Sequence, residues 1–267
     1  MFVRRDLKDS VPTPEGNMHF VKQGSGYPLV MLHPLGTSTW AWHTVMDALS
    51  QHYTCYAFDM LGHGESDKPN RHFNLPDYAR ALDQACQLLN IHRGHYVGNS
   101  VGACLAAEMA ARYPERLDKL VLVGCPVWNP YTATQRLAEA AVNYDENGLP
   151  KPRTLEDMRS QTTFVEPRQE WVDATNQTRA QAGVWVKKLL ESLAYYDILS
   201  RLPRIKASAT LVMYGEHDRL REGEELLHNN ITNASKKVLP NLGHIPQIED
   251  PETFIDALLD FLKPEAA

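Results

Sequence analysis

Residues 94–124 read GHYVGNSVGACLAAEMAARYPERLDKLVLVG, and at their centre Ser100 stands between two glycines, Gly98-Asn99-Ser100-Val101-Gly102. A short apolar strand ends at Tyr96 to Gly98. Val101 to Arg112 has the composition of a helix, closed by Pro114. Leu120 to Val123 (LVLV) is a strand without alternation, as expected when both faces of a sheet are covered. Strand, Gly-x-Ser-x-Gly, helix is the pattern of a nucleophile elbow. Its logic is steric: a sharp strand-to-helix turn crowds the backbone, and glycines two before and two after the serine remove the Cβ atoms that would clash. The serine is left at a helix N-terminus, where free N–H groups favour a developing oxyanion. By itself the motif also fits a turn or N-cap serine.

A serine hydroxyl needs a base to take its proton and an acid to orient that base. Two downstream strand patterns end in such residues. Thr210 to Tyr214 leads into Gly215-Glu216-His217-Asp218, and Lys236 to Leu239 leads into Pro240-Asn241-Leu242-Gly243-His244. Ligands bind at the C-terminal ends of strands in sheets of this type. The order Ser100, Asp218, His244 is the order that architecture requires. Glu216 and Asp250 are rivals for the acid. They read better as a loop charge and as the cap of a last helix over Thr253 to Leu262, whose first turn holds Pro251 and Glu252.

The rest of the chain alternates in the same way. Leu29 to His33 and Tyr53 to Phe58 are strand patterns. Trp40 to Leu49 and Leu75 to Leu89 have helical spacing, with Asp77 near the start of the second. Gly24-Ser25-Gly26 precedes a strand and reads as a hairpin-like turn. Strands alternating with helices predict a mostly parallel sheet covered on both faces. From 127 to 203 the rhythm breaks. No buried strand is evident, prolines punctuate the segment, and helical patterns appear over Thr134 to Val142 and Val184 to Leu193.

Taken together, His33-Pro34-Leu35-Gly36, Asp59-Met60-Leu61-Gly62-His63-Gly64-Glu65-Ser66, the elbow, Tyr214-Gly215-Glu216-His217-Asp218 and Gly243-His244 resemble the α/β-hydrolase fold family along almost the whole chain. The resemblance implies an α/β core over 1–126 and 204–267 and a helical cap over 127–203. It implies Ser100 as nucleophile, His244 as general base and then acid, and Asp218 as the orienting carboxylate. It also implies an oxyanion hole from the backbone N–H groups of Val101 and Leu35. The family more often has His-Gly where this chain has His33-Pro34, and Pro34 has no N–H to donate, so the donor is placed one residue on. Ala103 stands where many relatives have a further glycine. His33 is read as holding its loop, and the Asp59 to Ser66 stretch, with His63 and Ser66, as a structural turn beside the site.

The 267 residues suffice for one large domain, and 43% hydrophobic with 22% charged residues is ordinary globular usage. A net charge of −6 offers no footprint for nucleic acid or an anionic membrane, so neither is expected as a partner. No apolar run approaches membrane-spanning length and the N-terminus turns charged too early for a secretory signal. Cys55, Cys86, Cys104 and Cys125 form no CxxC pair and read as buried thiols of a cytoplasmic protein. Eleven histidines show no metal-ligand spacing and no Gly-rich phosphate loop occurs, so neither metal nor cofactor is expected. The substrate is expected to be a small molecule with an apolar portion, with Trp128, just past the LVLV strand, lining its pocket.

Three functions are compatible with these residues. The first is hydrolysis of a small or medium ester, lactone, thioester or amide through an acyl-enzyme. The second is carbon–carbon bond hydrolysis in a ring-cleavage pathway. Asn99 before Ser100 resembles the meta-cleavage product hydrolases, and Arg159, Arg168 or Arg179 could hold a substrate carboxylate, although they read better as solvated cap arginines. Those relatives usually carry a Gly-Pro-Gly-type loop where this chain has Pro34 to Thr37, and a tryptophan where it has Ile245. The third is a catalytically silent binding protein.

Overall fold

The computed structural model describes residues 8–128 and 130–263, with the side chains of Lys8, Pro130 and Tyr131 outside the description. Strands are β1 (Lys8–Thr13), β2 (Gly16–Gln23), β3 (Pro28–Leu32), β4 (Thr54–Phe58), β5 (Gly94–Asn99), β6 (Leu117–Val123), β7 (Ala209–Gly215) and β8 (Ala234–Leu239). They form one sheet in the order β1-β2-β4-β3-β5-β6-β7-β8. β1 and β2 are antiparallel to their neighbours, and every pairing from β4 to β8 is parallel.

The strands sort their side chains by period two. Val30, Leu32, Tyr96, Leu120, Leu122 and Val212 bury one face beneath α2 (Leu75–Leu88) and α3 (Val101–Arg112). Leu29, Met31, Val97, Val121, Val123 and Met213 bury the other beneath Trp42, α1 (Met46–Leu49) and α10 (Pro251–Leu262). Helix α3 is buried all round through Ala111, and its alanines bring it close to the sheet. Asp250 caps α10 through the Thr253 N–H at 3.1 Å, and Asn74 and Asp77 form a reciprocal capping box on α2.

Three local expectations change. Gly24 to Gly26 is not a hairpin turn, because β4 lies between β2 and β3. The hairpin lies between β1 and β2, which carry too few apolar residues to announce themselves. Trp40 to Leu49 is not one helix. It is a 3-10 turn over Thr39–Trp42 and then α1, with the turn pinned because Asp59 accepts the Thr39 N–H and Ser38 that of Trp40. Residues between β6 and β7 hold α4 (Pro130–Ala140), α5 (Leu155–Ser160), α6 (Gln169–Ala182) and α7 (Trp185–Ala194). The patterns near Thr134 and Val184 correspond to α4 and α7. Helix α6 was hidden because its buried face includes Thr175, Thr178 and Arg179 beside Trp171 and Val172. α8 (Glu224–Asn230) and α9 (Pro246–Glu249) complete the helices.

The Asp59 to Ser66 turn is held from inside. Asp59, 1% exposed, accepts from His19 Nδ1 at 2.7 Å, the Thr39 N–H at 2.6 Å and the Glu65 N–H at 2.9 Å. Burial alone would raise its pKa. The His19 hydrogen bond, the neighbouring imidazoles and the Glu65 N–H outweigh burial and hold it below the usual aspartate range. A lowered folded pKa contributes stability above the unfolded value that disappears as pH falls through the folded one. Asp59→Asn is therefore expected to cost about 2–4 kcal/mol at neutral pH, because an amide cannot accept all three donors. The loss should shrink in urea melts as pH falls below the aspartate range, and an equal loss at every pH would contradict this account.

Candidate active site

Ser100 sits at φ +59° and ψ −122°, a conformation that non-glycine residues rarely adopt. The turn holds it there. Its N–H donates to Val123 O at 2.8 Å, and its carbonyl accepts the Ala103 N–H at 2.9 Å. Both flanking glycines are obligatory. A Cβ on Gly98 would lie 2.1 Å from Gly102 O, and one on Gly102 would lie 2.2 Å from Leu32 O. The strained turn is stored where β5, α3 and the end of β3 touch.

His244 follows β8 and Asp218 follows β7, and adjacent parallel strands bring the two loops together. His244 Nδ1 lies 2.8 Å from Asp218 Oδ2, and the other Asp218 oxygen accepts the Leu220 N–H at 2.9 Å. Asp218 is 4% exposed and has no oxygen left for solvent. The rivals do other things. Glu216 is exposed and accepts the Asn241 N–H, and Asp250 caps α10. Ser100, His244 and Leu35 line one cavity, together with Trp128, whose indole N–H is buried without a protein partner. Val101 buries its side chain in the core. As the first residue of α3, it has a backbone N–H with no partner inside the helix.

His33 has both ring nitrogens committed. Nδ1 is 2.9 Å from Pro34 O, and Nε2 accepts the Met60 N–H at 3.0 Å, so the ring is the Nδ1–H tautomer. Burial lowers its pKa, which keeps it neutral. The Thr37 hydroxyl and N–H also reach Pro34 O, at 2.8 and 3.2 Å. The Pro34 loop is thus set by its carbonyl, at the position where the chain has no N–H. His63 is fully buried, and burial pushes it down to about 3.

Two roles that the motifs do not reveal, those of Asn99 and Glu249, fix the histidine loop. Asn99 donates to Val123 O and to His244 O, at 3.1 and 3.0 Å, and accepts from Gln247. Beside Ser100 it acts as a strut between the elbow and His244. Glu249 accepts the N–H groups of Gly243, Val165 and Glu166, joining that loop to the segment after α5. The His244 N–H also donates to Thr162 O at 2.9 Å. Most of these partners lie far apart in sequence, Asn99 from residues 123, 244 and 247 and Glu249 from residues 165 and 166, so no spacing rule could find them.

The cavity has an uneven charge. Its lining holds Arg153, Arg179 and Arg219 and no aspartate or glutamate. Arg179 is 4% exposed, and burial lowers its pKa. Burial and the Arg179 charge bring Arg153 down to about 10. Of the three arginines considered from sequence, only Arg179 lines the cavity. Arg159 pairs with Glu156 on the surface, and Arg168 stacks on Trp171. A wider hollow of about 600 Å³ over Trp40 and Trp171 contains neither Ser100 nor His244. Among the described residues no group of three His, Cys, Asp or Glu is placed to hold a metal ion, and no helix is long and apolar enough to cross a membrane.

The profile of the alpha/beta hydrolase fold matches residues 27–251. The chain belongs to the α/β-hydrolase family. Among curated relatives, it is 30% identical to the 2-hydroxy-6-oxo-2,4-heptadienoate hydrolase of Pseudomonas putida, over 94% of each chain. It is 29% identical to the 2-hydroxymuconate semialdehyde hydrolase of Pseudomonas sp. CF600, over 92% of this chain and 89% of that one. Among solved structures, the thermophilic esterase of Thermogutta terrifontis in its malate-bound form superposes with a TM-score of 0.81 at 22% identity, over 96% of this chain and 97% of that one. The structural likeness speaks for the fold, and the curated relatives for a hydrolase.

Proposed function

We propose that this α/β-hydrolase is a serine hydrolase cleaving the carbon–carbon bond of a 2-hydroxy-6-oxo-dienoic acid. The observation that carries the reading is Arg179, a buried guanidinium with no acidic partner in the cavity that Ser100 and His244 share. A neutral ester would leave that charge uncompensated, whereas a carboxylate would satisfy it. The curated relatives act, by name, on acids of this type. Their chemistry moves the reading from the ester that the motifs alone favour to the carbon–carbon bond.

The residues divide the work by position. In the 2-oxo form of such an acid, C5 is a leaving group because its electron pair delocalises into the C2 carbonyl. Ser100 Oγ attacks C6 as its proton passes to His244, whose other nitrogen is held by Asp218. The C6 oxyanion meets the backbone N–H groups of Leu35 and Val101. The C5–C6 bond breaks, its electron pair goes to C5, and His244 returns the proton there. Water, deprotonated by His244, then releases the acyl group from Ser100 as a carboxylic acid. Arg179 holds the C1 carboxylate, and Trp128, Leu190, Leu193 and Ile245 enclose the apolar part. The helices between β6 and β7 act as the cap that covers it.

The test compares kcat/KM for 2-hydroxy-6-oxohepta-2,4-dienoate and for p-nitrophenyl butyrate. The dienoate is expected to be favoured by about 100-fold or more. Arg179→Gln should raise its KM about 10- to 100-fold while sparing the uncharged ester, the loss of one charge-assisted hydrogen-bonded pair. Ester turnover without dienoate turnover would return the reading to an esterase. Turnover of neither would make this a binding protein.

A further inference from the structure

Residues 161–166, between α5 and α6, are bonded to both loops that carry His244 and Asp218. Thr162 O and Thr163 O accept the His244 N–H, at 2.9 and 3.1 Å, and Thr163 O also accepts the Ile245 N–H at 3.3 Å. The Thr162 hydroxyl donates to Gln161 O at 2.8 Å and accepts the N–H of Arg219, the residue after Asp218, at 3.1 Å. One residue thus holds the His244 loop through its carbonyl and the Asp218 loop through its side chain. Thr162 does so at φ +50°, a left-handed conformation that a β-branched residue rarely adopts.

Glu249 closes the same seam from the other side. One carboxylate oxygen accepts the Gly243 N–H at 2.7 Å, and the other accepts the N–H groups of Val165 and Glu166. The two segments approach so closely that glycine is required before His244. A Cβ on Gly243 would lie 2.7 Å from Thr162 O and 3.1 Å from Thr163 O. Apolar contacts complete the joint. Phe164 is fully buried in a cluster with Met158, Trp171 and Val172 from its own side of the seam and Trp40, Ile245 and Ile248 from the other. Segments joined in this way move together, so a shift of residues 161–166 displaces His244 against Asp218, now 2.8 Å apart.

We propose that Thr162 and Glu249 are positioning residues, which set His244 against Asp218 by docking residues 161–166 onto the histidine loop. The inference rests on Ser100, His244 and Asp218 being the reactive groups, as proposed above, and is independent of the bond they cleave. The segment between β6 and β7 is then part of the acid–base apparatus as well as a cover for substrate. Neither Thr162 nor Glu249 lines the cavity that Ser100 and His244 share. Their removal should therefore cost rate through a misplaced base and leave substrate affinity alone.

Thr162→Ala removes the acceptor of the Arg219 N–H, and Glu249→Gln replaces one of two accepting oxygens by a donor. Each is expected to lower kcat about 10- to 100-fold, with KM within about twofold, on whichever substrate the wild type turns over. Thr162→Ser keeps the hydroxyl and should keep most of the rate. A second readout needs no substrate. The ring-nitrogen NMR resonances of His244, in protein labelled at histidine and assigned by their loss in His244→Gln, should shift in Thr162→Ala and Glu249→Gln and stay at the wild-type position in Thr162→Ser. Unshifted resonances or an unchanged kcat in either variant would strike that residue from the role, even where its urea midpoint falls. Resonances that shift in the variants of a protein turning over neither the dienoate nor the ester would keep the positioning and remove the reaction proposed above.

Discussion

Ser100→Ala is expected to lower kcat about ten-thousand-fold or more on whichever substrate the wild type turns over, with little change in ligand affinity. Removing the nucleophile removes the covalent route, and only binding and the oxyanion donors remain. The cavity should persist, because no hydrogen bond that shapes the elbow uses the hydroxyl. The Ser100 N–H holds Val123 O, and its carbonyl serves Ala103 and Cys104. The backbone at φ +59° and ψ −122° adds a second expectation. Ser100→Gly should be as inactive as Ser100→Ala yet more stable than it by about 1 kcal/mol, since glycine adopts this conformation freely and alanine does not. Kinetics with calorimetric melts of the two variants check both statements. Retained turnover in either variant would remove Ser100 from the mechanism. Equal melting temperatures would remove the strain.

Gly102→Ala should have the largest effect on stability. In an unobstructed helix the change from glycine to alanine gains about 1 kcal/mol. Here the added methyl would lie 2.2 Å from Leu32 O and 2.7 Å from His33 O, both backbone atoms of the strand and loop that carry the site. Neither can turn aside as a side chain can. The expected result is a loss of about 3 kcal/mol or more, read as a lower urea midpoint at unchanged slope, together with lost activity as α3 is pushed off β3. A neutral or stabilising Gly102→Ala would show that the elbow is looser than its contacts imply.

The same two glycines explain why the fold could be read from the chain. A strand-to-helix turn this tight allows few residue types, so its requirement is written locally, in five consecutive residues. The parallel strands were equally visible because burial on both faces leaves uninterrupted apolar runs such as Leu120 to Val123. Asp218 could be found because it follows such a strand, β7, whereas His244 follows the mostly exposed β8 and was found by its Gly243-His244 motif and its place in the chain order. Helix α6 could not. Its buried face carries Thr175, Thr178 and Arg179, which serve a cavity instead of a core and so erase the apolar periodicity.

The sequence by itself determined the α/β architecture and the elbow around Ser100, because both follow from steric or burial rules acting over a few neighbouring residues, whereas the roles of Asp218, His244 and Leu35 came from the resemblance to the family. Only the tertiary structure decided that Asn99 braces His244 and that Glu249 ties the histidine loop to residues 165 and 166. It alone brought Arg153, Arg179 and Arg219, from three separate segments, to one cavity whose lining holds no aspartate or glutamate. Charge balance inside a cavity depends on which groups meet after folding and which are already paired, and that is a property of contacts between distant segments that no local pattern records.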